Sequence, residues 1–116
     1  MSSTLDSLKL AKLCAKLAED KKAVDPVILD LRKIEGPTYF FVILSAESEP
    51  QLKAIANYLE TEVREAVERN PRIDGFPSSK WIVVDYGDVM VHLFLQERRG
   101  FYGLESLWKD APRLKI

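Results

Sequence analysis

The chain has 116 residues, 47% apolar and 30% charged, with a formal net charge of −1. That length supports one domain, whose core removes roughly two-thirds of the unfolded chain's surface from water. A near-neutral balance and a pI of about 5.9 exclude an overall basic nucleic-acid binder, because a phosphate backbone requires a concentrated cationic surface.

The opening residues Met1-Ser2-Ser3-Thr4 lack the basic segment and apolar run of a secretory signal. Ser3, Thr4 and Ser7 are N-cap residues for a first helix. Leu10, Leu13, Cys14 and Leu17 recur at i, i+3, i+4 and i+7 and mark its buried stripe. Cys14 is the single cysteine. It reads as a core residue, and with no internal partner it implies a reducing compartment. No apolar run approaches the roughly 20 residues that span a bilayer, so no membrane partner and a cytoplasmic location are expected.

Asp25-Pro26 ends the helix and introduces a first strand over Val27–Leu31. Gly36-Pro37 marks a turn. The run Tyr39–Leu44 (YFFVIL) reads as a second strand covered on both faces. Ser48 opens a second helix, with Pro50 tolerated in its first turn. Leu52, Ile55, Ala56, Leu59, Val63, Ala66 and Val67 form its apolar face, Glu60, Glu62, Arg64, Glu65, Glu68 and Arg69 a solvated one, and Asn70-Pro71 its end. Trp81–Tyr86 and Val89–Leu95 read as third and fourth strands. Gly87-Asp88 between them suits a type II′ hairpin turn. A last helix is expected over Phe101–Lys109, with Phe101, Leu104, Leu107 and Trp108 on one side; Gly100 and Gly103 weaken it, and Ala111-Pro112 stops it. The order α-β-β-α-β-β-α gives an α/β (α+β) domain over residues 1–116, a single mixed sheet with packed helices. The helix between the second and third strands is a crossover, which implies that those two strands run parallel.

The hairpin carries the chain's most informative pattern. A two-residue turn pairs Tyr86 with Val89, Val84 with Val91 and Ile82 with Leu93, and these six share one apolar face. The other face carries Trp81, Val83, Asp85, Met90, His92 and Phe94, mixing large apolar groups with an acid and the single histidine. Two readings stand. It is an interaction surface with Trp81 and Met90 as apolar anchors and Asp85, Asp88 and His92 as polar specificity; or the last helix covers it and Asp85 orients a core histidine.

Little points to chemistry. There is no phosphate-binding loop. One His and one Cys far apart make a zinc site improbable. Asp85 and Asp88 are commoner as turn formers than as magnesium ligands, and no nucleophile stands beside a His92–Asp85 pair. Neither a cofactor nor a metal is expected, and the chain does not read as an enzyme. The basic residues Arg98, Arg99, Lys109, Arg113 and Lys115 gather near the C-terminus.

Two blocks carry a family resemblance. One is Trp81-Ile82-Val83-Val84-Asp85-Tyr86-Gly87-Asp88-Val89-Met90-Val91-His92; the other runs from Arg99-Gly100-Phe101-Tyr102-Gly103-Leu104-Glu105-Ser106-Leu107-Trp108 to Ala111. Together they resemble the W-x-x-x-D-x-G-D-x-V-V-H block and the R-x-(F/Y)-Y-x-L-E-x-L-W tail of the ribosomal silencing factor, or Iojap, family. The segment Ser45–Pro50 departs from that family's Thr-Gly-x-Ser pattern.

The resemblance implies a nucleotidyltransferase-like fold without the glycine-serine loop and paired metal-binding acids. It implies binding to the large ribosomal subunit through its fourteenth protein, steric blocking of small-subunit joining, and repression of translation when nutrients are scarce. Trp81, Asp85, Tyr86, Asp88, Met90, His92, Tyr102 and Glu105 would lie at or near the docking surface. Asp85, Asp88, Glu97 and Glu105 would suit a basic partner. A homodimer is a further implication; the C-terminal basic cluster itself reads first as a solvated tail, with a weak ribosomal RNA contact as the alternative. On this basis Trp81→Ala with Asp88→Lys should abolish docking and leave the fold intact. The rival reading is a diverged metal-dependent nucleotidyltransferase working through Asp85, Asp88 and His92.

Overall fold

The computed structural model describes residues 4–34, 36–75 and 80–116. In chain order the elements are α1 (Thr4–Asp20), β1 (Val24–Asp30), β2 (Phe40–Ala46), α2 (Glu49–Val67), β3 (Arg72–Asp74), β4 (Trp81–Asp85), β5 (Val89–Leu95), α3 (Gln96–Tyr102), α4 (Leu104–Leu107) and β6 (Arg113–Leu114). Every residue of β2 is buried, as its unbroken apolar run requires, because the strand sits inside one sheet of order β3-β4-β5-β2-β1-β6. The expected mixed sheet is present, with two short strands added at its edges.

One added strand corrects the direction of another. β2 pairs in parallel, but with β5, whereas β4 is antiparallel to β5 and so runs opposite to β2. The chain leaving α2 enters β3 first, which pairs antiparallel with β4. β3 completes the crossover and β4 is the return strand. β1 starts earlier than expected, at Val24, through an irregularity between Val24 and Val27 where Asp25 takes φ 46°. Bulges are where a strand tolerates proline, so Pro26 lies inside the strand.

The two sheet faces are buried differently. α1 and α2 close one face over Ile28, Phe40, Val42, Leu44, Ile82, Val84, Val91 and Leu93. On α1 the fully buried positions are Ser7, Ala11, Cys14, Ala15 and Ala18, while Leu13 and Leu17 are only partly buried. Small side chains let the helix axis approach the sheet, and the leucines flank the contact. Burial pushes the Cys14 thiol up to about 12, which makes it an inert core group. Ser48 caps α2 by accepting a hydrogen bond from the Gln51 N–H. The α2 core positions are Leu52, Ile55, Ala56, Leu59 and Val63; Ala66 and Val67 are exposed instead, because the helix turns out of the core before Glu68 caps it.

The opposite face has a smaller core of Leu29, Leu31, Phe41, Ile43, Phe94 and Ala111, with Leu104 and Trp108 packed against it. The expected single helix over 101–109 is two helices. Gly103 at φ 63° caps α3 and starts α4, a left-handed conformation that suits glycine. The break leaves Leu107 73% exposed, where a buried residue was expected.

The β4–β5 turn has the expected register: Ile82 opposes Leu93, Val84 opposes Val91, and the Tyr86 N–H donates to the Val89 carbonyl. Gly87 has φ 91°, with open space where a Cβ would stand. Gly87→Ala should therefore cost about 1 kcal/mol through backbone strain alone, seen as a lower denaturation midpoint at unchanged slope.

Candidate docking face

Register places the side chains of the second face in rows. Arg72 opposes Asp85, and Asp74 opposes Val83. Asp85 opposes Met90, Val83 opposes His92, and Trp81 opposes Phe94. Met90, His92 and Phe94 then neighbour Phe41, Ile43 and Ser45. The β2 side of this face lies under Leu104, Trp108 and Ala111. The β3–β4 side keeps Trp81, Val83, Asp85 and Met90 half-buried and Arg72 and Asp74 exposed. Each of the two readings of this face therefore describes a different part of it: the C-terminal helices cover one half and leave the other open.

Aromatic packing organises the boundary. The Trp81 ring lies 4.9 Å from Phe94 and 5.8 Å from His92. Phe41 meets His92 edge-on at 4.5 Å and Trp108 edge-on at 5.8 Å. His92 is 4% exposed, and burial holds its imidazole at about 4, well below the usual histidine range. It is neutral at physiological pH. The Trp81 Nε1–H donates to His92 Nδ1 at 3.1 Å. Asp85 does not bond the histidine in this arrangement; its Oδ1 accepts from the Gly87 N–H at 2.7 Å and fixes the turn.

The eight residues expected at the site do not form one patch. Trp81, Asp85, Met90 and His92 share the second face. Tyr86 is on the other, buried in the larger core, with its phenol pushed up by that burial. Asp88 points toward the helices. Ser7 Oγ–H donates to its Oδ2 at 2.6 Å, and Arg69 grips both carboxylate oxygens at 2.8 and 3.1 Å while donating to the Tyr86 carbonyl at 2.6 Å. Burial raises the Asp88 carboxyl, but the Arg69 and Ser7 hydrogen bonds outweigh it and leave it lowered. Glu105 is paired with Arg99 at 2.7 Å and with Arg113 at 3.4 Å. Arg99 also donates to the Val24 carbonyl and Ser45 Oγ, so it is held inside the fold, whereas the Arg113 side chain is 61% exposed. The Tyr102 side chain lies outside the described residues. The expected acidic patch is thus blunted: Asp88 and Glu105 have internal cations, and Arg72 faces Asp85. The sequence reading missed exposed Leu107, although the L-E-S-L-W string holds it.

A family model described as ribosomal silencing factor during starvation matches residues 4–116. The chain belongs to the ribosomal silencing factor family. Over 112 residues it is 35% identical to a ribosomal silencing factor of Halalkalibacterium halodurans, covering 97% of this chain and 96% of the relative. The Bacillus subtilis factor is 34% identical over 108 residues, with 93% and 92% covered. A chloroplastic Iojap protein of Arabidopsis thaliana is 35% identical over 111 residues, which is 96% of this chain and 46% of that protein. A crystal structure from Chromobacterium violaceum superposes with a TM-score of 0.83 at 32% identity, covering 88% of this chain and 85% of its own. Family membership accounts for both motif blocks. It makes the chain a ribosome-associated regulatory factor; the names of these relatives carry no enzymatic activity.

The geometry also separates the residues that the nucleotidyltransferase reading requires. Asp88 faces α1 and α2, whereas Asp85 and His92 lie on the other side of the sheet. No group of three or more metal-ligating side chains gathers among the described residues. No described helix is long and apolar enough to cross a membrane.

Proposed function

We propose that the open half of the β4–β5 face docks on the large ribosomal subunit, through its fourteenth protein, and sterically prevents the small subunit from joining. The observation that carries this is Trp81: a large aromatic group left partly exposed beside half-buried Met90 and Val83, on the half of the face that Leu104 and Trp108 do not cover. Aromatic anchors ringed by polar groups are where interfaces concentrate their energy. Here the ring is Asp85, Arg72 and Asp74. Its mixed charge favours a partner surface of both signs over a purely basic one. The match to bacterial factors over nearly their whole length supports a cytoplasmic role under nutrient limitation. No catalytic step is needed, since factor and small subunit compete for one surface and silencing scales with factor concentration over its dissociation constant.

The test replaces Trp81 with Ala and Asp85 with Asn, whose amide oxygen can still accept from the Gly87 N–H. Asp88 is left alone, because it serves the fold. The double variant should remain folded and bind purified large subunits at least ~100-fold more weakly in co-sedimentation, as loss of a hot-spot aromatic predicts. It should also fail to suppress joining in a subunit-association gradient. Unchanged co-sedimentation of the folded variant would refute this docking face.

A further inference from the structure

The Trp81 indole is held from beneath by one hydrogen bond. Indole N–H is a donor only, so His92 Nδ1 must accept, and the neutral ring carries its proton on Nε2. That second nitrogen is buried and finds no hydrogen-bond acceptor among the described residues. A position chosen for packing alone would be better filled by an apolar ring, since a buried unmade donor is costly. The histidine therefore earns its place through Nδ1. Its own orientation is fixed by Phe41 edge-on at 4.5 Å and Phe94 stacked at 6.3 Å.

We infer that His92 is a positioning residue for docking: buried behind the face, it fixes the Trp81 indole through Nδ1 and does not itself touch the partner. The inference rests on the docking face proposed above. An indole already held in its bound orientation has less side-chain freedom to lose on association. Ordering one such side chain accounts for roughly a 3- to 10-fold difference in affinity.

Three variants of the full chain test it: His92→Phe, which has no acceptor; His92→Asn, whose amide oxygen can stand near Nδ1; and Trp81→Phe, which has no indole donor. If the bulk of Phe is not accommodated, His92→Leu takes its place. Affinity for purified large subunits is measured on every folded variant, and hydrogen-exchange protection of the Trp81 indole N–H, with Trp108 as the internal reference, is measured by nuclear magnetic resonance on the parent chain and the His92 variants. His92→Phe should lose the protection and bind about 3- to 10-fold more weakly. His92→Asn should keep both. Affinity should follow indole protection across the His92 series, and a His92 variant in which the two part company overturns the positioning role. An unchanged affinity in Trp81→Phe would instead count against the docking face, which is a separate failure.

Discussion

Asp88→Lys should lose about 3 kcal/mol of folding stability, a loss typical of breaking a largely buried ion pair. The Asp88 carboxylate is 10% exposed and its Arg69 partner 33%, so water screens the pair only in part. The substitution removes the acceptor for Ser7 and for two Arg69 hydrogen bonds and sets two cations against each other between α1, the end of α2 and the β4–β5 turn. Against a typical total of about 5–15 kcal/mol, that loss populates the unfolded chain. The same double variant that the sequence offers as a clean docking test would therefore mix lost stability with lost docking. Asp88→Asn keeps an acceptor for Ser7 and should lose less, about 1–2 kcal/mol. Urea denaturation with matched slopes distinguishes them; an Asp88→Lys midpoint equal to that of the parent chain would show that the clasp contributes nothing.

That clasp also marks where sequence reading stops. The β4–β5 register was legible because a two-residue turn with Gly87 leaves one pairing, and alternation then assigned Trp81, Asp85, Met90 and His92 to one face. Tyr86 and Asp88 were included because they sit inside the same motif. Adjacency in a motif says nothing about side: Tyr86 follows Asp85 and so points the other way, and beyond the strand end Asp88 turns back toward the helices. Arg69 looked like one more charge on a solvated helix. Its partner lies 19 residues away and meets it only because α2 ends beside the turn. β3 and β6 were invisible for a different reason. Arg72-Ile73-Asp74 and Arg113-Leu114 each hold one apolar residue; such strands exist because a neighbour's backbone offers hydrogen bonds, not because their own pattern demands burial. In α1, counting leucines gave the right helix with the wrong centre, since close packing selects Ala11, Ala15 and Ala18 at the point of nearest approach. The depth of His92 could not be read from alternation either. It depends on Phe41, which reaches the histidine through the parallel β2–β5 pairing.

Acid should destabilise the protein in two separable stages, and His92 sets the first. Its pKa is about 4 in the fold against an ordinary 6.5, so between those values the unfolded chain binds a proton that the native chain excludes. Stability therefore rises with pH across this window. It is complete above about 6.5 and falls progressively as the pH drops toward 4, by about 3 kcal/mol in all. Below that, Asp30 and Asp88 take over. A hydrogen bond from Arg32 chiefly lowers the Asp30 carboxyl, and Asp88 is also lowered, against its burial, by Arg69 and Ser7. Their contributions are present above 3.8 and disappear as the pH falls through their lowered values. Replacing His92 with Asn should flatten the upper stage while leaving the lower one. Denaturant-derived stabilities at half-unit pH steps from 7.5 to 3 test this, the range being set by these pKa values. A flat curve for the unsubstituted chain between 6.5 and 4 would mean that the imidazole is charged within the fold. A charged ring carries a proton on Nδ1, facing the Trp81 donor, so within the fold the Trp81–His92 bond persists through this first stage and is lost only when the native ring protonates, near pH 4.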